Sequence, residues 1–300
     1  MNYYNEIKQE LINNETYKKV KDYSKNRNDL ETYYNVGKLL VEAQGGEQRA
    51  NYGDNLIKEY SEKLMKEIGK GYNVTSLKRM RKLYIIVLKG ATLSPLLMWS
   101  HYVELLKLEN INIINYYIDI TIKQNLSVRE LRNKIKNKEY ERLDDKTKQK
   151  LMVQDKEKIE DFIKNPILIR NSYKAVISEK LLKQLILEDM DNFLSELGEG
   201  FCYIKNEYKI KLGDRYNYID LLLFNYKYNC FVVVELKVTE LRKEHIGQIK
   251  MYMNYIDKNV KEINQDKTIG IIICKKDNVF VMEYCSDKRI YRTIYECKQV

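Results

Sequence analysis

Residues 216–238 have the sequence YNYIDLLLFNYKYNCFVVVELKV, in which two apolar segments flank a short turn bounded by asparagines. The first segment carries Asp220 in its middle, and the second ends with Glu235 and Lys237. Two strand-forming runs joined by so few residues predict an antiparallel β-hairpin. Because the two strands then lie side by side, we expect Asp220 and Glu235 to converge. The hairpin therefore predicts both a sheet and the place of a site on it.

The residues that interrupt these apolar strands are the candidates for chemistry. A buried carboxylate is costly unless something compensates its charge. Asp220 and Glu235, with the backbone carbonyl of Leu236, supply the hard oxygen ligands that Mg²⁺ or Mn²⁺ prefers. Lys237, two residues after Glu235 and on the same strand face, could orient or help to deprotonate an attacking water. These residues predict metal-assisted phosphodiester hydrolysis, and a structural ion pair between the strands is the alternative.

The segments around the hairpin predict an α/β domain. Helices are predicted over residues 178–197 and 240–256, where apolar positions recur at helical spacing. Strands are predicted over residues 201–212, 216–224, 230–238, 268–274 and 279–284. Helices and strands in this order indicate a sheet with helices packed on it.

The first half of the chain predicts helices alone. They are expected over residues 17–44, 51–68, 75–88, 94–108 and 110–124, with another that begins at the capping box of Ser127. From residue 134 to residue 158 the apolar pattern gives way to charge, which predicts a solvated helix or a linker. We therefore expect a helical domain over residues 1–150 and an α/β domain over residues 151–300.

Positive charge is concentrated in the helical half. The 300 residues include 53 Lys+Arg and 43 Asp+Glu, a formal net charge of +10. Residues 1–150 hold 28 of those bases and 20 of those acids, against 25 and 23 in residues 151–300. A basic excess indicates a polyanionic partner such as nucleic acid, because each neutralised phosphate releases counterions. The alternative is a genomic base composition that favours Lys and Asn codons.

The composition excludes several classes of protein. No apolar run approaches the roughly 20 residues that a bilayer span needs, and the first residues lack the pattern of a secretory signal. We therefore expect a cytoplasmic protein with no membrane partner. Five cysteines without a CxxC pair argue against a disulfide framework and against a structural zinc site. No GKS or GKT follows Gly198 and Gly200, so no nucleotide cofactor is expected.

A candidate nucleic-acid contact lies in the helical half. Residues 54–68, a glycine-containing turn and residues 75–88 have the pattern of a helix-turn-helix whose second helix is basic. An ordinary helical bundle with a glycine turn is the alternative. The basic residues that are candidates for DNA contact are Lys78, Arg79, Arg81 and Lys82.

Asp220 on one strand and Glu235-Leu236-Lys237 on the next resemble the PD-(D/E)XK nuclease superfamily. The chain is similar to the YhcG-type nucleases of that superfamily, which join a helical N-terminal domain to such a nuclease domain. The resemblance implies an all-helical N-terminal domain, helix-turn-helix-like, followed by a restriction-endonuclease-like α/β domain with a mixed sheet. The stretches that carry it are residues 49–53, 99–102, 193–201, 218–222, 231–237 and 244–248.

The resemblance also implies roles for individual residues. Asp220 and Glu235 would hold the metal and Lys237 would position the attacking water. Glu196, near the end of a predicted helix, corresponds to the helical acid that assists metal binding, and Gln248 corresponds to the polar residue that completes the site. One departure is that Ile219 stands where the family name has proline.

Together these observations predict a Mg²⁺-dependent deoxyribonuclease, an endonuclease of DNA defence, restriction or repair. The resemblance implies that the 3′-oxygen leaves the scissile phosphate and that the product carries a 5′-phosphate. Because one site cuts one strand, double-strand cleavage predicts a homodimer. Two alternatives remain open: a catalytically silent DNA-binding or assembly module of a defence or mobile-element system, and a nuclease directed at RNA.

Overall fold

The chain folds into two compact units that meet between Tyr140 and Glu141 in the sequence. The structure is a computed structural model, and it describes residues 3–19, 25–46, 50–153, 158–173, 176–285 and 287–299. Among these residues, no helix is both long enough and apolar enough to cross a bilayer. A helical first unit and a second unit built on a mixed sheet confirm the predicted fold class.

The N-terminal unit is built from helices whose apolar faces form its core. The helices described in this unit are α1 (Tyr3–Lys19), α2 (Lys25–Ala43), α3 (Ala50–Glu67), α4 (Val74–Leu88), α5 (Trp99–Leu105), α6 (Ile111–Lys123) and α7 (Val128–Lys136). The side chains of Ile7, Leu40, Leu64 and Tyr102 are completely buried. Four different helices thus each bury an apolar side chain completely.

The basic helix α4 packs closely on α2. A Cβ added at Gly37 of α2 would lie 2.2 Å from the carbonyl oxygen of Met80, so this crossing requires glycine. Asn73 precedes α4 and its side chain accepts a backbone N–H of the first turn, which fixes the start of the helix. The inner face of α4 buries Leu77 and Leu83. Met80 and Ile86 are buried as well, and the exposed positions of α4 include Lys78 and Arg79.

The C-terminal unit is built on a six-stranded sheet. Its strands are β1 (Ile167–Asn171), β2 (Phe201–Leu212), β3 (Arg215–Asn225), β4 (Cys230–Glu240), β5 (Asp266–Lys276) and β6 (Ile290–Gln299). They lie in the order β1-β6-β5-β4-β3-β2. The strands β2, β3 and β4 pair antiparallel, whereas β4, β5, β6 and β1 are parallel neighbours. The predicted hairpin is the pair β3 and β4, with β2 at the sheet edge.

Helices cover both faces of this sheet. The helices of the unit are α8 (Asp145–Val153), α9 (Glu179–Glu188), α10 (Met190–Leu197), α11 (Lys243–Asn259) and α12 (Val279–Cys285). Leu182 of α9 and Phe193 of α10 pack with one set of strand residues, and Ile249 and Met253 of α11 pack with the other set. A Cβ added at Gly270 of β5 would lie 2.7 Å from Sδ of Met253, so glycine permits the close approach of α11.

The end of the chain differs from the sequence prediction. Residues 279–284, predicted as a strand, form helix α12, and the side chain of Asn278 accepts the N–H of Val281 at 3.3 Å in its first turn. A short apolar run of aromatic and β-branched residues fits a helix as well as a strand, so the prediction was wrong. The strands β1 and β6 were not predicted, because β1 has five residues and β6 mixes polar and apolar positions without regular alternation.

Two predicted helices also have different limits. Helix α5 begins at Trp99, not at Ser94, because the hydroxyl of Ser94 accepts a backbone N–H within a preceding turn. The predicted helix over residues 178–197 is interrupted at Asp189, which separates α9 from α10. Three parts of the predictions lie outside the described residues: residues 20–24 of the first helix, residue 49 and residues 154–157 of the linker.

Candidate functional site

The candidate site forms where β3 and β4 separate. The regular pairing of these strands ends with Leu221 opposite Val234. Beyond that pair a side chain replaces the backbone acceptor, since Oδ2 of Asp220 accepts the N–H of Leu236 at 2.9 Å. The N–H of Asp220 lies 3.5 Å from Oε1 of Glu235. The structure thus brings Asp220 and Glu235 together at the end of the hairpin pairing.

Glu235 is a buried carboxylate with incomplete charge compensation. It is 1% exposed, and its Oε2 lies 3.1 Å from Nζ of Lys237. Burial, and then the negative charge of Asp220, raise the pKa of Glu235 from its ordinary 4.5 to about 7. The Lys237 charge opposes this shift without cancelling it. Glu235 therefore lies in a position that favours an additional cation.

Lys237 lies between the strand carboxylates and a helix acid. Its side chain is 12% exposed. Burial alone would lower the pKa of Lys237, but the charges of Glu235, Asp220 and Glu179 outweigh burial and hold the pKa above its ordinary value. The group is consequently an ammonium at neutral pH. In this state it can donate hydrogen bonds and stabilise negative charge, whereas it cannot accept a proton.

Helix α9 contributes two charged residues that the sequence analysis missed. Glu179 stands in its first turn, after the N-cap Ser178, and its charge acts on the pKa of Lys237. Lys183, one turn later on the same face, places Nζ 2.6 Å from Oδ1 of Asp220. The sequence signal that could have identified them is their spacing: Glu179 and Lys183 follow a serine N-cap and stand four residues apart, which places both charges on one helix face.

Helix α11 contributes polar groups on the side of Glu235. Nε2 of Gln248 donates to the hydroxyl of Tyr252 at 3.0 Å. Burial raises the pKa of Tyr252; the Gln248 hydrogen bond opposes this, and the charge of Glu235 adds to it. The pKa of His245, also on α11, is lowered first by burial and then by the charge of Lys237. Gln248 thus belongs to the surroundings of the site through Tyr252.

Glu196 is held elsewhere in the C-terminal unit. Its carboxylate accepts both ends of the Arg142 guanidinium, with Nη2 at 3.1 Å, and the backbone N–H of Leu168 at 3.0 Å. The two charged side chains are each 8% exposed. No contact seen in the described part of the chain joins Glu196 to Asp220 or Glu235. The helical acid whose charge acts on the site is Glu179, through the pKa of Lys237.

The four basic candidates of the N-terminal unit all lie on α4. Lys78 and Arg79 are exposed, whereas Arg81 and Lys82 are half-buried. Nε of Arg81 donates to Oε1 of Gln44 at 2.5 Å, which ties this side chain to the end of α2. Lys78 and Arg79 are therefore the members of the set that are most accessible to a polyanion.

The side chains at the candidate site fit a hard divalent cation. Asp220 and Glu235 offer carboxylate oxygens, and burial and then the charge of Asp220 raise the pKa of Glu235, an effect that a bound cation would oppose. In the part of the chain that the structure describes, no group of three or more His, Cys, Asp or Glu residues forms a metal cluster. Further ligands would come from a backbone oxygen, such as that of Leu236, and from water, as is usual for Mg²⁺.

Family comparisons cover both units. Residues 160–296 match the YhcG PDDEXK nuclease domain, and residues 6–142 match the DUF1016 N-terminal domain. The curated protein "Putative nuclease YhcG" of Escherichia coli (strain K12) is 27% identical over 283 residues, 81% of this chain and 76% of that protein. Nucleases of the PD-(D/E)XK type generally use divalent metals. Asp220, Glu235 and Lys237 all lie within the matched nuclease domain.

Two solved structures are similar over part of the chain. The "crystal structure of a repair endonuclease from Pyrococcus abyssi" is 21% identical, with a TM-score of 0.29, over 40% of this chain and 48% of that one. The "Structure of EndoMS-dsDNA2 complex" is 17% identical, also with a TM-score of 0.29, over 43% of this chain and 48% of that one. The match spans about half the length of each solved chain.

Proposed function

We propose that this chain, which belongs to the YhcG-type nucleases that join a DUF1016 N-terminal domain to a PDDEXK nuclease domain, is a Mg²⁺-dependent DNA endonuclease. The observation that carries the proposal is the meeting of Asp220, Glu235 and Lys237 where β3 and β4 separate. Two acids held close together with one ammonium are the equipment for cleaving a phosphodiester with the aid of a metal. Mg²⁺ is the proposed ion, and Mn²⁺ should replace it.

Each residue of this group has a separate task. Asp220 and Glu235 would hold the metal, together with the carbonyl oxygen of Leu236. A divalent cation bound there supplies Lewis-acid stabilisation of the phosphate charge and makes water a stronger nucleophile. Lys237 orients the attacking water by donating a hydrogen bond and stabilises the charge that develops on the phosphate. The 3′-oxygen then leaves, and the product carries a 5′-phosphate.

Gln248 and Glu179 would act through these residues. Gln248 is bonded to Tyr252 and is proposed to complete the polar wall of the site from α11. Glu179 adds a negative charge that helps Glu235 and Asp220 to raise the pKa of Lys237. Glu196 was proposed from the resemblance as a metal-assisting acid, but its carboxylate is occupied by Arg142 and Leu168. We therefore assign the role of helical acid to Glu179.

DNA is proposed as the substrate because the basic excess lies in the helical half. Residues 1–150 hold 28 Lys+Arg against 20 Asp+Glu, so this half can attract a polyanion. Within it, the exposed Lys78 and Arg79 of α4 would contact phosphates, with Arg81 and Lys82 beside them. Two copies of the chain would be needed to cut both strands, so we propose a homodimer.

Plasmid cleavage with millimolar Mg²⁺ tests the proposal. The wild type should nick or linearise supercoiled DNA, and chelation by EDTA should stop the reaction. Asp220→Ala and Lys237→Ala should each abolish cleavage while they retain the wild-type circular dichroism spectrum. Lys205→Ala, which removes an exposed lysine of β2, is the matched control and should cut at the wild-type rate.

The same assay separates the alternatives. Equal nicking by the wild type and both site variants would overturn the assignment of the site. Degradation of RNA with no cleavage of DNA would change the substrate class. If calorimetry detects no divalent ion binding at millimolar concentration, the chain is a DNA-binding or assembly module that does not cut.

A further inference from the structure

The proposed function assigns no role to Lys183 of α9. The helix buries Leu182 and Leu185 in the core, and Lys183, between them in the sequence, is half-buried. Its ammonium contacts two carboxylates on neighbouring strands: Asp220 of β3 at 2.6 Å and Glu207 of β2. The side chain is 17% exposed. A lysine held in this way is a fixed cation inside the candidate site.

Glu207, which forms an ion pair with this lysine, has an unusual backbone conformation. On β2 it stands between Asn206, which pairs with Leu221, and Tyr208, which pairs with Ile219, so it lies opposite Asp220. Its φ of 48° falls in the left-handed region, which is uncommon for residues other than glycine. The Glu207 side chain is 51% exposed, and it is therefore the better hydrated of the two acceptors.

Each carboxylate oxygen of Asp220 already accepts one hydrogen bond. Oδ2 accepts the N–H of Leu236, and Oδ1 accepts Lys183. A metal that binds Asp220 through Oδ1 competes with the Lys183 ammonium for that oxygen, because two cations held at one oxygen repel each other. Glu207 is within reach to keep the displaced ammonium paired.

We propose that Lys183 is an internal cation that exchanges with the catalytic metal at Asp220, and that Glu207 holds it when the metal is bound. This inference rests on the proposed function, since it needs a metal at Asp220. The ammonium neutralises Asp220 in the metal-free protein and so competes with the metal. Lys183 is a positioning residue that sets metal affinity, and Glu207 weakens the competition by offering a second partner.

Calorimetric titration of the full chain with Mn²⁺ alone, without DNA, tests this exchange. Lys183→Met removes the competitor, and Mn²⁺ should bind roughly tenfold more tightly, since one charge-assisted hydrogen bond no longer has to be broken. Glu207→Gln should weaken binding by roughly threefold, because the displaced ammonium loses its second partner. Lys180→Met, which removes an exposed lysine of the same helix, should leave the affinity unchanged.

The double variant Lys183→Met/Glu207→Gln separates exchange from a general effect of charge. If Glu207 acts through Lys183, its substitution should change little once Lys183 is absent, and the double variant should bind Mn²⁺ as Lys183→Met does. Equal weakening by Glu207→Gln in both backgrounds would overturn the exchange. If Lys183→Met fails to fold, Glu207→Gln and Lys183→Arg decide: unchanged affinity in the first, or tightened affinity in the second, would overturn the proposal.

Melting temperature supplies a second readout that needs no turnover. Saturating Mn²⁺ should raise the melting temperature more in Lys183→Met than in the wild type, because tighter binding stabilises the folded state further. Unchanged or weaker binding in Lys183→Met, with a wild type that binds, overturns this inference alone. Absence of binding in the wild type and in every variant overturns the proposed function, and the exchange with it.

Discussion

Two buried carboxylates of the C-terminal unit show how differently the same group can be used. Glu196 is 6% exposed and Glu235 is 1% exposed, so both would be unstable as isolated anions. The carboxylate of Glu196 accepts hydrogen bonds from both terminal nitrogens of Arg142 and from one backbone N–H. Glu235 meets one lysine and lies beside a second carboxylate, Asp220.

The difference teaches that burial of a charge does not by itself mark a functional site. Around Glu196 every oxygen has a donor, and the charge is matched by one fixed cation, as in a structural ion pair. Around Glu235, burial and then the charge of Asp220 raise the pKa to about 7, and Lys237 offsets them only in part. A buried carboxylate whose charge is compensated only in part gains from a further cation, whereas the fully matched ion pair of Glu196 gains little.

The most direct test of the difference between Glu235 and Glu196 is to neutralise each acid in turn. Glu235→Gln should lower DNA cleavage by at least roughly 10³-fold, since the lost metal ligand is worth several kcal/mol in the transition state. Glu196→Gln should leave the rate per folded molecule at the wild-type value. Single-turnover cleavage, normalised to the folded fraction from circular dichroism, measures both. A loss of cleavage in Glu196→Gln alone would return the metal-assisting role to that residue.

Removal of the partner cations should affect stability, and here the variant at the Glu196 pair should show the larger loss. Arg142→Met leaves Glu196 buried without its cation and should destabilise the protein by about 3–5 kcal/mol. Lys237→Met should cost less, because Glu235 can take up a proton near pH 7 and avoid a bare charge. Scanning calorimetry at pH 7 compares the two melting temperatures. Equal losses would mean that Glu235 does not take up a proton to avoid a bare charge.

The pH dependence of stability should also distinguish Glu235. Its pKa of about 7 lies above the ordinary 4.5, with Asp220 and Lys237 as the charged groups that face it and Tyr252 nearby. The folded state therefore holds a proton that the unfolded state has released between pH 4.5 and pH 7. Stability from this group is present below pH 4.5 and is lost as the pH rises toward 7, by at most about 3 kcal/mol.

Glu235→Gln supplies the reference for that measurement. The difference in unfolding free energy between the metal-free wild type and Glu235→Gln should fall between pH 4.5 and pH 7 and stay level above pH 7. The comparison with Gln removes the contributions of other titrating groups, which both proteins share. A flat difference across this range would show that Glu235 keeps its ordinary pKa.

The sequence predicted the strand side of this site and missed the helix side. Asp220, Glu235 and Lys237 could be predicted because a charge inside an apolar strand is conspicuous and a short turn fixes which strands pair. Glu179 and Lys183 were missed because charged residues are ordinary on a helix, and nothing in the sequence tells which face meets a sheet edge. Glu196 was predicted from a motif, yet its partner Arg142 is distant in sequence.

The fold was predictable to a similar degree. The strands β3, β4 and β5 carry apolar runs typical of a sheet interior, whereas β2 mixes polar and apolar residues at the sheet edge. The predicted limits of all four strands lie within two residues of those observed. The error over residues 279–284 and the omission of β6 arose where local pattern is weak and tertiary pairing decides. Strand β6 forms because β5 on one side and β1 on the other supply its hydrogen bonds.

The smallest expected effect concerns Tyr252, whose pKa is influenced by the charge of Glu235. Tyr252→Phe removes the hydroxyl that accepts the amide of Gln248 at 3.0 Å. The loss of one hydrogen bond, worth about 1 kcal/mol, should reduce cleavage by roughly fivefold if Gln248 completes the site. Tyr255→Phe, three residues along the same helix, is the matched control and should cut at the wild-type rate. If Tyr252→Phe also cuts at the wild-type rate, the Gln248–Tyr252 hydrogen bond plays no part in cleavage. The site is then confined to the strands and α9, and Glu235, like Glu196, depends only on the groups in direct contact with it.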